Sequence, residues 1–287
     1  AHHPTGLYVT SNHGGAEDFA LWRAPLEGTT AGPRDTWEAI LPHRPGTRLS
    51  GVETFASHAI VHGRTEGLTA IWLLDPTSGA TTPFATDEAV GTISPGANPS
   101  FTTSTYRFSY QSLTTPPSVL EQDLATGDRT LLKQLPVLGD FDPSRYDSAR
   151  EWATTADGTQ VPISLVWRPD AIGADGPAPC VLYGYGAYEM SMDPWFSIAR
   201  LSLLDRGVVF AIAHVRGGGE LGRHWYEDGK FGAKEHTFSD FVAAEELDRS
   251  RGFWWSPASD ALIVECVDER PVQQWWISDP LHPGSEP

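Results

Sequence analysis

Two stretches of this 287-residue chain, 48 residues apart, share one pattern. IWLLDPTSGATTPF and VLEQDLATGDRTLLK each read strand, Asp, two residues, Ser or Thr, Gly, strand, with the aspartates at Asp75 and Asp123. The Asp side chain opens the turn, and the Gly takes the positive φ that lets the chain reverse. Other β-rich runs stand around these two, bounded by Gly, Pro, Asn and Asp: GLYVT from Gly6, FALWRA from Phe19, WEAIL from Trp37 and AIWLL from Ala70. A unit of about 40–50 residues holding several short strands is the signature of propeller blades. Two units alone also fit an ordinary meander. Residues 1–145 are therefore expected to form a partial β-propeller.

From Tyr146 the texture changes. Glu151–Trp167 reads as a hairpin turning at Asp157-Gly158. Cys180–Tyr183 is a short apolar strand, and Phe196–Asp205 carries Ile198, Leu201 and Leu204 at helical spacing before Arg206-Gly207. Val208–Val215 is continuously apolar, as a strand buried on both faces should be. Thr237–Leu247 reads as a second helix with apolar positions at 238, 241, 242 and 244. Strand, helix, strand, helix opens an α/β domain with a largely parallel sheet, expected over 146–249. Near Ser250 the pattern breaks again. RGFWWSP, ALIVECV and QWWISD are strand-like, and WWISDPLHPG echoes IWLLDPTSG, so 250–287 is expected to be a short propeller-like β tail.

The strings YGYGAY, RLSLLDRG, HVRGGGELG and WYEDGK occur in one order between Tyr183 and Lys230. On these, residues 1–249 resemble the oligopeptidase B branch of the prolyl oligopeptidase family of serine peptidases. The tail, through GFWWSP and QQWWISDP, resembles the propeller of dipeptidyl peptidase IV-type enzymes. The first resemblance implies the closing blades of a propeller over an α/β-hydrolase domain, with short peptides as substrates, cut after basic residues by lineage. It implies that Tyr185 donates to the oxyanion and that Tyr188 lines the substrate pocket. Gly184 and Gly186 would turn the backbone so that the Tyr185 hydroxyl points inward. Arg216, Gly217, Gly218, Gly219 and Glu220 would form a structural loop after a central strand.

The hydrolase triad needs a serine on a strained strand-to-helix turn. No Gly-x-Ser-x-Gly occurs in the sequence. Ser202 lies within RLSLLD and Ser197 just before it, while His214, His224 and His236 precede any candidate nucleophile. The hydrolase domain is thus expected to be truncated before its triad and inactive alone, with a non-catalytic β-propeller-type interaction module as the alternative. A nicotinamide-dependent enzyme is a remote third reading, because Gly217, Gly219 and Gly222 satisfy G-x-G-x-x-G after an apolar strand. That fingerprint requires a helix directly after the glycines, and HWYEDGKFGAKE carries no helical stripe. No cofactor is therefore expected.

Charge excludes further classes. Twenty Lys and Arg against 37 Asp and Glu give a net charge of −17 with no basic cluster, so neither nucleic acid nor an anionic membrane is an expected partner. Cys180 and Cys266 lie in apolar runs and read as small buried residues; two cysteines set no disulfide framework, so the cytoplasm is the default location. The N-terminal stretch has neither the basic nor the apolar region of a signal peptide, and no apolar run approaches the roughly 20 residues that span a bilayer. His58 and His62, four apart, read as packing or surface residues, and no metal is expected. Open sheet edges in such a chain make self-association an expected property.

Overall fold

The computed structural model describes residues 1–28, 30–173 and 178–245, with the backbone of 254–255 and 262–263. Residues Ala1–Leu247 form one compact unit and Asp248–Pro287 a second.

Three four-stranded antiparallel sheets follow one another. The first contains β1 (His2–His3), β2 (Gly6–Ser11) and β3 (Ala20–Ala24). A small ribbon of β4 (Leu26–Glu27) and β5 (Thr30–Ala31) leads to its last strand, β6 (Glu38–Leu41). The second holds β7 (Thr47–Thr54), β8 (Ala59–Thr65), β9 (Leu68–Leu74) and β10 (Thr81–Pro83); the third holds β11 (Gly91–Pro95), β12 (Thr105–Ser112), β13 (Ser118–Asp123) and β14 (Arg129–Gln134). The repeated sequence pattern is the last hairpin of the second and third sheets. Asp75 accepts from the Thr77 amide at 2.8 Å and the Ser78 hydroxyl at 2.6 Å. Asp123 accepts from the Ala125 and Thr126 amides at 2.9 Å, and Gly79 and Gly127 hold φ of 73° and 80°.

Stacking of the sheets face to face explains why middle strands such as Ala59-Ile60-Val61 are apolar without alternation. Tyr8 and Leu21 of the first sheet pack on Val61 and Leu74 of the second. Ile60 and Ile71 pack on Ile93, Tyr106 and Phe108 of the third. Phe84 meets the rings of Tyr106 and Phe108 edge-on at 5.8 and 5.5 Å, each pair adding about 0.5–1.5 kcal/mol beyond burial. Among the described residues no core cluster joins the first sheet to the third. The blades thus form an open arc.

The fourth sheet contains β15 (Asp147–Thr154), β16 (Gln160–Trp167), β17 (Cys180–Tyr183) and β18 (Val209–Ala213) in the order β15-β16-β18-β17. The hairpin turns at Asp157-Gly158 as expected, with Gly158 at φ 86°. The sheet is not largely parallel. Among the described residues only β17 and β18 run parallel, joined through α1 (Ile198–Leu204), because β16 intervenes as an antiparallel neighbour of β18. Two short helical elements complete the unit, α2 (Arg223–Glu227) and the longer α3 (Glu235–Glu245).

Three burial expectations are corrected. In α1, Leu201 and Leu204 are buried, but Ile198 is exposed and Arg200 is buried instead. The Arg200 guanidinium lies 4.1 Å from the Phe210 ring centre and 4.8 Å from that of Trp195, so its methylenes and cation-π contacts substitute for a hydrophobe. Burial pushes its pKa down to about 10. In α3, Phe238 and Val242 face solvent while Thr237, Asp240 and Ala244 are buried, because Asp240 is drawn inward by Arg216. Cys180 is exposed, since β17 is the edge of its sheet. In the second unit, Trp254–Trp255 pairs antiparallel with Leu262–Ile263. Cys266, the QWWISD run and the rest of the expected β tail lie outside the described residues.

Candidate active-site loops

Parallel strands β17 and β18 release their chains at the same end of the sheet, the end where open α/β sheets place their sites. β17 leads into Gly184-Tyr185-Gly186, and β18 leads into His214–Gly222. These two loops interlock through glycine. Gly186 stands at φ 61°, and a Cβ there would lie 2.6 Å from Val215 Cγ2 and 2.8 Å from the Arg216 carbonyl oxygen. Gly217 stands at φ 96°; a Cβ there would overlap the Gly186 carbonyl oxygen and come within 3.0 Å of the Gly229 carbonyl oxygen. Gly184 does not supply the turn. Its φ is ordinary, and its missing side chain makes room for Phe241 at 3.0 Å.

The Gly186 carbonyl accepts from the Lys234 ammonium and, at 3.4 Å, from the Thr237 hydroxyl, which also donates to the Arg216 carbonyl at 2.6 Å. The segment carrying Tyr185 is therefore tied to the start of α3. Tyr185 itself is 42% exposed at the mouth of the sheet. Tyr188 is 82% exposed and, like Glu189, holds φ 57°, a region that costs a non-glycine residue on the order of 1–3 kcal/mol. The Glu189 amide donates to the Gly217 carbonyl at 3.1 Å. Its carboxylate takes Arg48 from the second sheet and Arg223 at 2.8 Å. Arg64 of the second sheet chelates Asp193 at 2.6 and 2.7 Å. The propeller arc thus grips the loop that carries Tyr188.

The glycine loop is buried from His214 through Glu220. Arg216 is its anchor. Its guanidinium reaches Asp240 at 2.6 Å and Asp157 at 2.9 Å, while its own amide donates to Asp240 at 2.8 Å. Asp157 is held well below the usual carboxylate range by the hydroxyls and amide of Thr155 and Thr159 first, and then by Arg216. Gly218 and Gly219 have no room for a side chain, being crowded by the Glu220 carboxylate and by the Glu189 carbonyl. Glu220 accepts from the Met192 amide at 2.7 Å.

Beside this loop stands a serine–histidine–carboxylate sequence that the spacing of residues did not suggest. Ser164 Oγ lies 2.8 Å from His214 Nε2, and His214 Nδ1 lies 3.9 Å from Glu220 Oε1. All three are buried, and Arg150 donates to the same Ser164 oxygen at 2.8 Å. A nucleophile closed to substrate and sitting inside strand β16 has no approach for a carbonyl carbon. Burial lowers the pKa of His214, so the ring is neutral in the fold. The trio therefore packs the sheet. Ser197 and Ser202 are likewise structural: Ser197 Oγ caps α1 by accepting from the Arg200 amide at 3.4 Å, and Ser202 donates to the Ala199 carbonyl at 3.2 Å.

The glycines do lead straight into a helix, contrary to the reading of HWYEDGKFGAKE: α2 begins at Arg223. Its five residues are too few to show a stripe. The dinucleotide reading still fails, because the Asp18 carboxylate occupies the start of α2. It accepts from the Arg223 amide at 2.6 Å and would lie 2.5 Å from a Cβ on Gly222. A carboxylate where a pyrophosphate would sit repels it. His58 stacks on Phe55 at 4.7 Å, and the His62 ring lies against Gly51, so both histidines are packing residues. Among the described residues no cluster of three metal-ligating side chains occurs, and no helix is long and apolar enough to cross a membrane.

Comparison with known proteins agrees with this arrangement. Residues 1–135 match the prolyl oligopeptidase N-terminal beta-propeller domain, and residues 194–259 match the prolyl oligopeptidase family. Dipeptidyl aminopeptidase BI of Pseudoxanthomonas mexicana is 41% identical over 246 residues, 85% of this chain and 33% of that protein. Protease 2 of Moraxella lacunata is 36% identical over 85% of this chain and 34% of its own length. The solved structure of oligopeptidase B from Leishmania major superposes with a TM-score of 0.75 at 37% identity, covering 86% of this chain and 35% of that one. The chain spans about a third of the length of these relatives.

Proposed function

We propose, from the premise that this chain belongs to the prolyl oligopeptidase family, that it supplies the closing blades and the oxyanion side of a serine peptidase acting on short peptides. In this reading Tyr185 donates to the oxyanion and Tyr188 contacts the peptide. The blades end near residue 145 and the hydrolase portion follows to about 249. Preorganisation supports the role of Tyr185. Its loop is fixed by the Lys234 and Thr237 bonds to Gly186 and by the Gly217 contact, so a phenol there reorganises little as charge develops. Cleavage after basic residues comes from lineage alone.

The observation that carries the rest is the missing Gly-x-Ser-x-Gly turn. With no activated serine the chain does not catalyse by itself. The same observation favours a second reading, in which the chain is a non-catalytic binding module that retains the peptide-facing loops. Incubation with a fluorophosphonate and intact-mass measurement, beside hydrolysis of an arginyl chromogenic peptide, tests the inactivity. No adduct and no turnover are expected; a stoichiometric adduct refutes it. We also propose self-association through the edge strand β17, where Val181 and Tyr183 are exposed. Sedimentation across a hundredfold dilution should show a shifting mass, and one invariant monomer would exclude it.

A further inference from the structure

This sequence holds three lysines, Lys133, Lys230 and Lys234. Two of the three line one cavity of about 240 Å³ beside Tyr188, with Tyr226 and Phe231 as its other large side chains and Gly217 and Gly229 in its wall. In a chain of net charge −17, that concentration of cations is not explained by composition. No acidic side chain lines the cavity.

The two ammonium groups differ. Lys230 pairs with Glu227 and lies 4.8 Å from the Tyr226 ring centre and 5.6 Å from that of Phe231. Lys234 is half-buried and spends one donor on the Gly186 carbonyl. Among the described residues no carboxylate lies within salt-bridge distance of it. An ammonium carries three donors, so two remain for a ligand. Burial without a counter-charge pulls its pKa below the ordinary lysine value.

The aromatic rim is a separate observation. Phe231 is 85% exposed at φ 47°, and Tyr188 is 82% exposed at φ 57°. Two aromatic residues are held in the left-handed region with their rings in water, at one cavity mouth. Each pays conformational strain without the return of burial, a pattern found where strain serves binding.

We propose that this cavity binds the carboxylate of a short peptide, with Lys234 as the anion's partner and the rings of Tyr188, Tyr226 and Phe231 receiving the apolar side chain next to it. The assignment rests on the reading that the chain handles short peptides, and it adds where a negative group of the peptide would be held. The carboxylate can be the peptide's own C-terminus or an acidic side chain; the chemistry at Lys234 is the same. A volume of about 240 Å³ suits one residue and part of the next, not a folded partner.

Three peptides separate the possibilities, each titrated into the full chain and followed by ligand-observed NMR: N-acetyl-Gly-Phe as the free acid, N-acetyl-Gly-Phe amide, and N-acetyl-Glu-Phe amide. At least one carboxylate peptide should bind ten times more tightly than the neutral amide, and which one does so identifies the source. Lys234→Gln should remove that preference, and Lys230→Gln should weaken it severalfold. Equal binding of all three peptides to the unaltered chain overturns the proposal, whatever the variants do. So does a preference that survives Lys234→Gln in a folded variant. A fluorophosphonate adduct would refute the inactivity reading and leave these ratios untouched, so the two failures are distinguishable.

Discussion

Replacing Asp240 by Leu should be among the most damaging single changes to this fold. Asp240 is fully buried in α3 and accepts four bonds from one residue, three from the Arg216 guanidinium and one from its amide. Removing one partner of a buried pair costs roughly 3–5 kcal/mol, because the other charge stays buried. Asp157 still reaches Arg216 at 2.9 Å, so the low end, about 3 kcal/mol, is expected. Arg216→Met should cost about as much, since it leaves the Asp240 carboxylate with an amide alone. The double variant removes both charges. What remains is an orphaned amide at residue 216, about 1–3 kcal/mol. Urea unfolding followed by tryptophan fluorescence gives the four stabilities. The singles should sum to roughly 6 kcal/mol or more, and the double should fall short of that sum by at least about 2 kcal/mol. A double variant as unstable as the sum would refute the claim that the two charges hold each other. A cost below about 1 kcal/mol for Asp240→Leu would refute the claim that the pair fastens the glycine loop to α3.

Two other perturbations test the same region. Gly217→Ala forces a Cβ onto the Gly186 carbonyl oxygen at φ 96°, so it should lose about 2–4 kcal/mol by the same assay, while Gly232→Ala, whose Cβ meets nothing within 4 Å, should change little. Acidification should destabilise the fold through His214. Burial holds its folded pKa below the value near 6.5 of an unfolded histidine, so the unfolded state binds the proton first and stability falls as pH drops below about 6.5, with nothing lost above it. His58 and His62 act in the same direction, so His214→Gln should flatten the slope between pH 7 and 5 without abolishing it; an unchanged slope would show that burial does not shift the titration of His214 and would refute the reasoning.

The local grammar of the chain was readable because each signal acts within a few residues. An Asp and a Gly four apart make a turn wherever they stand, as at Asp75–Gly79 and Asp123–Gly127, and an adjacent Asp-Gly does the same at Asp157-Gly158, which is why these hairpins stand where the pattern put them. Ser197 and Asp205 bound α1 for similar reasons. What failed was the side of each helix that faces inward. Helical spacing chose Phe238 and Val242 for burial, but a charge pair between residues 24 apart turned α3 so that Asp240 is inside. No periodicity encodes that pair. Cys180 failed because an apolar run says that a strand is half-buried somewhere, not that it sits at a sheet edge. At the candidate site, the motifs pointed to Tyr185, Tyr188 and the glycine loop. Asp18, Arg48, Arg64 and Lys234, which hold those loops, were silent, since their partners lie between 48 and 205 residues away.

That distribution of contacts explains how about a third of a peptidase length keeps its loops in place. The segment carrying Tyr185 depends on three supports that all lie within residues 1–245. Lys234, just before α3, and Thr237 within it grip Gly186 from one side. The glycine loop backs it through Gly217, itself fixed by Arg216 and Asp240. The second sheet of the arc takes Glu189 and Asp193 through Arg48 and Arg64. None of the three needs a nucleophile strand. The neutral bonds contribute about 1 kcal/mol each and the buried pair several times that if broken, so the arrangement of Tyr185 is decided before any catalytic serine is considered. The order of the loops carrying Tyr185 and Tyr188 is thus set by contacts made within residues 1–245.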